Sequence, residues 1–372
     1  MTTDTIGGVW TYAIELCRGL QDHGIEVILA TMGRPLLPAQ WEQVRGIPTL
    51  TIQESSYALE WMDNAWADVD QAGQWLLELE AKFQPDLIHL NAYVHGALLW
   101  KAPVLVVGHL CVLSWCRAVK GGEAPMRWNT YRRRAKLGVQ AADAVVAPTG
   151  WMLFQLERDY GALPRPCVIS NSRHVPQGPD LTREPWIITI CRLWDEAKNA
   201  AVLAAAAAHL TWPVKLVGDA RAPDGIVAHW PNVEFLGFQS PDAVIDLCRR
   251  ASIFALPARY EPFGLAPLEA AQAGCALVLG DIPSLREIWS DAALYVPPND
   301  QTALAAALQS LIADPSRREH YAAAARQRAR LYTPEKTTHG YLEVYSELLE
   351  NREELKTDLP SITSDQQHPA TH

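Results

Sequence analysis

Residues 256–281 read LPARYEPFGLAPLEAAQAGCALVLGD, from Leu256 to Asp281. Glu261 precedes a proline, which pushes it toward an extended backbone. Gly264 permits a tight turn, and Pro267 fits only in a helix's first turn, where its missing N–H would go unpaired in any case. A helix is therefore predicted from about Leu265 to Gln272, stopped by Gly274 in the left-handed conformation that glycine favours. Strands flank it, Ser252–Leu256 before and Ala276–Leu279 after. A glycine turn that opens a helix at the end of a parallel strand presents unpaired N–H groups and the positive end of the helix dipole, which suits a phosphate. Glu261 and Glu269 do the opposite job: they repel phosphate and accept hydrogen bonds from sugar hydroxyls. The combination fits a ligand that is part diphosphate and part sugar.

A bare E-x7-E is more often a capped core helix with two ordinary surface glutamates. Set in EPFGLxPLEAxxxG, it resembles the signature of family 4 of the retaining glycosyltransferases, the old group 1. That resemblance implies an α/β chain of the GT-B fold, two Rossmann-like domains with parallel sheets facing across a cleft.

Composition agrees. At 372 residues the chain is long enough for two domains. No apolar run approaches the roughly eighteen residues that a membrane crossing requires. The net charge of −10 argues against nucleic-acid binding, where a basic face is expected. Seven scattered cysteines without metal spacing, and no secretory signal, point to reduced thiols in a cytoplasm.

From the start, Gly7-Gly8 opens a predicted helix, Thr11–His23, with almost no strand before it. Either the first strand is a stub or the start lies upstream. A Gly-Gly pair at such a turn lets a ligand approach the backbone. Asp68-Val69-Asp70 matches the metal-binding DxD of another glycosyltransferase fold, but it falls within the helical run Trp61–Phe83 rather than at a strand end, so no metal is expected there. Asp86–Leu90 and Pro103–Val107 read as buried strands of a parallel sheet, with Asn91, Tyr93 and His95 after the first and His109 after the second. Open α/β sheets bind ligands at those ends. The segment Leu113–Lys136 interleaves tryptophans with Arg117, Lys120, Arg127 and Arg132-Arg133-Arg134. It reads as a solvated helix face or, alternatively, as a surface for an anionic acceptor or for peripheral contact with the inner face of a membrane.

Four segments follow: a first domain over 1–171, a linker over 172–184, a second domain over 185–333 and a last helix over 334–350, which the resemblance implies would cross back to pack on the first. The polar, proline-interrupted remainder, 351–372, is expected to be disordered. Arg192, at the end of the strand Trp186–Ile190, and Lys198 bring two cations to one strand-to-helix turn, as a diphosphate requires. Arg286 and Glu287 read as surface residues at a helix start.

What the resemblance adds is residue by residue. Arg192 and Lys198 would hold the donor's diphosphate and assist its departure, Glu261 the donor sugar's hydroxyls, Glu269 the ribose, and His109 would stand beside sugar and diphosphate. Gly7 and Gly8 would face the diphosphate and the acceptor. Gly218 and Asp219 match the family's turn, Gly237 and Phe238 stand where similar enzymes hold the base, and Phe263, Gly264 and Leu265 would complete the donor site. The implied partners are a UDP- or GDP-sugar and a glycan or lipid-linked acceptor, with no cofactor. The implied reaction retains the anomeric configuration and occurs on the donor's front face. Competing expectations are a noncatalytic sugar-nucleotide-binding subunit of a polysaccharide assembly complex, or a GT-B epimerase or hydrolase of the nucleotide sugar itself.

Overall fold

The computed structural model describes residues 1–357 apart from 177, 179, 180, 222–224 and 226. In its first half, β1 (Thr2–Asp4), α1 (Gly8–Gln21), β2 (Val27–Met32), α2 (Pro38–Val44), β3 (Leu50–Glu54) and α3 (Trp66–Phe83) precede β4 (Ile88–Leu90) and β5 (Val104–Val107). Then come α4 (Val112–Trp115), α5 (Asn129–Ala141), β6 (Ala144–Ala147), α6 (Gly150–Tyr160) and β7 (Pro166–Val168). The strands form two parallel sheets, β1-β2-β3 and β4-β5-β6-β7. Asn91, just past β4, joins them: its N–H donates to Thr2 Oγ1 at 2.9 Å and its Nδ2 to the Thr2 carbonyl at 2.7 Å. The strand that the sequence leaves almost without residues is thus real, three residues long, with Thr2 beside Ala30 and Asp4 beside Met32.

The second half holds β8 (Glu184–Ile190), α7 (Ala200–Ala207), β9 (Val214–Val217), β10 (Glu234–Gly237), α8 (Pro241–Arg250), β11 (Ala251–Leu256), α9 (Leu265–Ala273), β12 (Ala276–Gly280), α10 (Pro283–Trp289) and β13 (Leu294–Val296), then α11 (Gln301–Ala313) and α12 (Pro315–Ala329). Its six strands run in the order β10-β9-β8-β11-β12-β13, all parallel. From β8 the chain builds outward to one side, then returns to β11 and builds to the other. The switch between β8 and β11 is where an open α/β sheet leaves a crevice at its carboxyl ends. The first half reverses in the same way between β1 and β4.

The apolar runs in these strands are buried on both faces, as parallel strands require; Ile253, Phe254, Leu277 and Val278 have no exposure. The last helix, α13 (Pro334–Thr357), returns to the first half, where Tyr341, Val344, Tyr345 and Leu348 pack with residues of α1, β2, β5 and β6. Its end corrects the sequence expectation of disorder from 351. Glu, Arg, Leu and Lys, all good helix formers, carry the helix on to Thr357 in the absence of any breaker. Residues 358–372 of the expected tail lie outside the described residues. No helix among the described residues is long and apolar enough to cross a membrane.

One glycine shows how tightly the first half is packed. A Cβ on Gly138 of α5 would lie 1.8 Å from the Tyr93 carbonyl oxygen, in the turn that follows β4. That neighbour is backbone and cannot swing aside. Gly138→Ala should therefore destabilise the protein by about 3 kcal/mol, the upper end for overpacking, and thermal unfolding of the variant at the wild-type midpoint would refute this contact.

Candidate active site

The loops after β8 and β11 meet at the switch point. Lys198 Nζ donates to Glu261 Oε2 at 2.6 Å, and both side chains are largely buried, 17% and 14% exposed. The turn holding Lys198 is anchored by Asn199, which takes up left-handed φ of 59° and donates from Nδ2 to the Pro257 carbonyl at 3.0 Å. Asparagine tolerates that conformation better than most residues. Arg192 donates from Nη2 to Asp195 Oδ2 at 2.7 Å, while its buried Nε has no protein acceptor among the described residues. A guanidinium with one N–H held and another unmet is equipped for a further anion. Beside it Gly264, at φ 96°, opens α9, and Gly274, at φ 93°, ends it. This is the turn, helix and stop that Pro267 and the two glycines predict.

The first half supplies the other wall. The Asp4 carboxylate accepts from the N–H groups of Ile6 and Gly7 at 3.0 and 3.1 Å, shaping the glycine turn at the start of α1. A Cβ on Gly7 would come within 2.8 Å of Arg192 Nη1, and one on Gly8 within 3.7 Å of Leu265. The glycines thus bring the backbone of α1 up to the cation and to the start of α9. His109, after β5, has a partner that settles its tautomer. Asn91 uses its amide N–H on Thr2, which turns Oδ1 toward His109 Nε2 at 2.8 Å. Nε2 then carries the proton and Nδ1 is left as an acceptor. Burial pushes the His109 pKa down to about 3, so the ring is neutral near pH 7.

Other expected site residues have different surroundings. Phe263 is 3% exposed and its ring packs edge-on to Tyr332 at 5.5 Å, so its side chain belongs to the core and not to the cleft. Its apolar bulk is satisfied there, and only its backbone faces the turn. Gly218, at φ 133°, brings its Cα to a spot where a Cβ would be 1.9 Å from the Cys191 carbonyl oxygen. Asp219 accepts from Arg221 N at 2.8 Å within its own turn. Gly237, at φ 68°, accepts from Gly218 N at 2.9 Å, and Phe238 is 68% exposed beyond it. Gly218, Asp219 and Gly237 thus brace the loops after β9 and β10. Asp68 accepts from Ala58 N at 3.0 Å and Asp70 pairs with Arg134 at 2.6 Å, so the DxD carboxylates have partners within the first half. His95 bonds the Val69 carbonyl at 2.9 Å. In the basic segment, Arg117 pairs with Asp159 at 2.6 Å and Lys120 with Glu196 at 2.7 Å.

Three residues that the sequence does not assign to the site hold the walls. Glu60 is 7% exposed and accepts from Tyr93 and Val94 N–H beside His109's cavity, and burial raises its pKa to about 7. Arg173, in the expected linker, pairs with both Glu269 at 2.7 Å and Glu15 at 2.8 Å. Glu287, exposed as expected, also caps α6 of the other half, accepting from Gly150 and Trp151 N–H at 2.7 and 2.9 Å. The charge of a carboxylate at a helix start was visible in the sequence, but the helix it caps is 137 residues away.

Comparison with known proteins completes the picture. Residues 182–328 match the model for glycosyl transferases group 1, and residues 6–174 match that for Glycosyltransferase Family 4. Alpha-maltose-1-phosphate synthase of Mycolicibacterium smegmatis is 30% identical over 291 residues, covering 65% of this chain and 73% of that protein. Glycogen synthase of Mycobacterium tuberculosis is 42% identical over 96 residues, a match spanning 25% of this chain and only 23% of that protein. Among solved structures, Anabaena HepE in complex with UDP-glucose is similar at a TM-score of 0.73 and 17% identity, covering 93% of this chain and 99% of that one. With both halves matched and the switch points facing each other, the chain belongs to the group 1 glycosyltransferases, family 4, and has their GT-B fold.

Proposed function

We propose that the protein transfers a sugar from a nucleotide-diphospho-sugar to an acceptor hydroxyl, with retention of configuration and without a metal ion. The observation that carries this reading is the meeting of Arg192, Lys198 and the start of α9 at one switch point, with Glu261 beside them. The hard step is breaking the bond between the anomeric carbon and the diphosphate. Charge grows on the departing diphosphate, and two fixed cations with a helix N-terminus stabilise it without reorganising. That Anabaena HepE was solved with UDP-glucose supports a UDP-sugar as the donor class.

Glu261 has a second task. Paired with Lys198 it orients the cation toward the phosphates, and its other oxygen can accept from the donor sugar's hydroxyls. A carboxylate could act as a nucleophile in a retaining reaction, but an ion-paired Glu261 is a weak one. The departing phosphate, adjacent to the incoming hydroxyl on the front face, is the base that fits. His109, neutral and with Nδ1 open, contributes an acceptor from the opposite wall.

Two experiments test this. Glu261→Ala and Lys198→Ala should each lower turnover by about 100-fold or more, the cost of one preorganised contact to the transition state; near-wild-type rates in both would sink the assignment. In a screen of UDP-, GDP-, ADP- and TDP-sugars with sugar and polyol acceptors, release of nucleoside diphosphate should require an acceptor and should persist in EDTA. Release without acceptor would instead identify a hydrolase, and loss in EDTA reversed by Mg²⁺ would overturn the metal-free reading.

A further inference from the structure

Glu269 lies in α9, one carboxylate oxygen tied and the other not. Its Oε1 accepts from Arg173 Nε at 2.7 Å, while Oε2 has no hydrogen-bond partner among the described residues. Arg173 is held from every side. Its Nη1 donates to Glu15 Oε1 of α1 at 2.8 Å, and its carbonyl accepts from Gln272 Nε2 at 2.8 Å. The next residue, His174, donates its N–H to Glu15 Oε2 at 3.1 Å. The three charged side chains are 13%, 6% and 13% exposed for Arg173, Glu15 and Glu269. A cavity of about 890 Å³ adjoins the cluster, lined in part by Glu15, Arg173, His174, Ser240 and Pro241.

Two carboxylates that share one buried cation leave a net charge of −1 on the cluster. Burial and Glu15 both favour protonation of Glu269, and Arg173 opposes it. A protonated Glu269 would be a donor where a diol needs an acceptor. On balance the Glu269 pKa is raised, burial being the largest cause; the guanidinium does two things at once: it works against that rise, and it fixes which oxygen remains open. Its planar fork suits that double duty, which a lysine's point charge cannot fully reproduce.

We infer that Arg173 is a positioning residue for the nucleotide, holding Glu269 so that its open oxygen accepts from the 2′- and 3′-hydroxyls of the donor's ribose, with Glu15 linking that grip to α1. The inference rests on the donor reading given above and adds to it a residue from the segment between the two halves. Because α1 also begins at the Gly7-Gly8 turn beside Arg192, the ribose and diphosphate ends of the donor are braced against one helix of the first half.

Calorimetry on the full chain tests it, with UDP, GDP and ADP as probes and the 2′-deoxy analogue of whichever binds most tightly. The wild type should prefer the ribonucleotide by about ten-fold, as a hydrogen bond to a charged group implies. Arg173→Met should bring that ratio to about one, Glu269→Gln should do the same, and Arg173→Lys should restore part of it. Folding is monitored by thermal unfolding; if Arg173→Met does not fold, the Lys variant decides, and a full ten-fold preference in it overturns the inference. Undiminished preference in a folded Met variant overturns the inference while leaving the donor reading intact. Failure of all three diphosphates to bind the wild type overturns both.

Discussion

A buried ion pair at a reversal of strand order is the constraint on which the second half turns. Lys198 and Glu261 come from loops 63 residues apart, yet they meet because β8 and β11 are hydrogen-bonded neighbours. Deleting one partner would strand the other charge in a largely dry site, which costs far more than the pair contributes. The surrounding turn is correspondingly over-determined: the Asn199 amide grips the end of β11, and Ser284 Oγ donates to the Glu261 carbonyl at 2.6 Å. Such sites hold charge in readiness, and a ligand's phosphate would meet cations already in place.

The two halves are also stitched to each other by neutral and charged hydrogen bonds that bracket the cleft. Tyr260 accepts from Cys111 N at 3.0 Å and bonds Ser114 Oγ at 2.9 Å, Thr149 Oγ1 donates to the Pro262 carbonyl at 3.0 Å, and Glu287 caps α6. Each involves the loop of a strand end or the start of a helix, where backbone groups are otherwise unpaired. None is a broad apolar contact. Hydrogen bonds of this kind, together with the edge-on contact of Trp151 and Tyr260 at 5.6 Å, suit halves that must admit and release a large ligand.

What the sequence made legible is what local chemistry dictates. Gly264 and Gly274 permit the left-handed backbone that other residues avoid, and Pro267 fits only a helix's first turn, so α9 and its ends could be placed within a residue. Arg192 and Lys198 could be paired because six residues separate them on one turn. The burial of the Phe263 ring could not be read, because an aromatic beside a glycine turn can face either way, and only the position of Tyr332 decides. Arg173, Glu287 and Glu60 were illegible for one reason: each acts on a group far along the chain, and nothing in its own neighbourhood signals that partner. The extent of α13 was underestimated because polar composition was given more weight than helix propensity.

The return of α13 has a consequence for how the molecule is made. His89, in β4, bonds Tyr345 at 2.6 Å across 256 residues of chain, and Tyr341 packs against both His89 and Tyr12. The first half emerges from the ribosome before the second, yet one wall of its core is a helix synthesised only after the second half. Until that helix arrives, α1 and β4 expose apolar surface, in a window when unfinished cores are prone to aggregate. Closing so long a loop is entropically affordable but slow to initiate. Completion of the first half is therefore coupled to synthesis of the second, and a chain cut short before Pro334 would lack a wall of its first core.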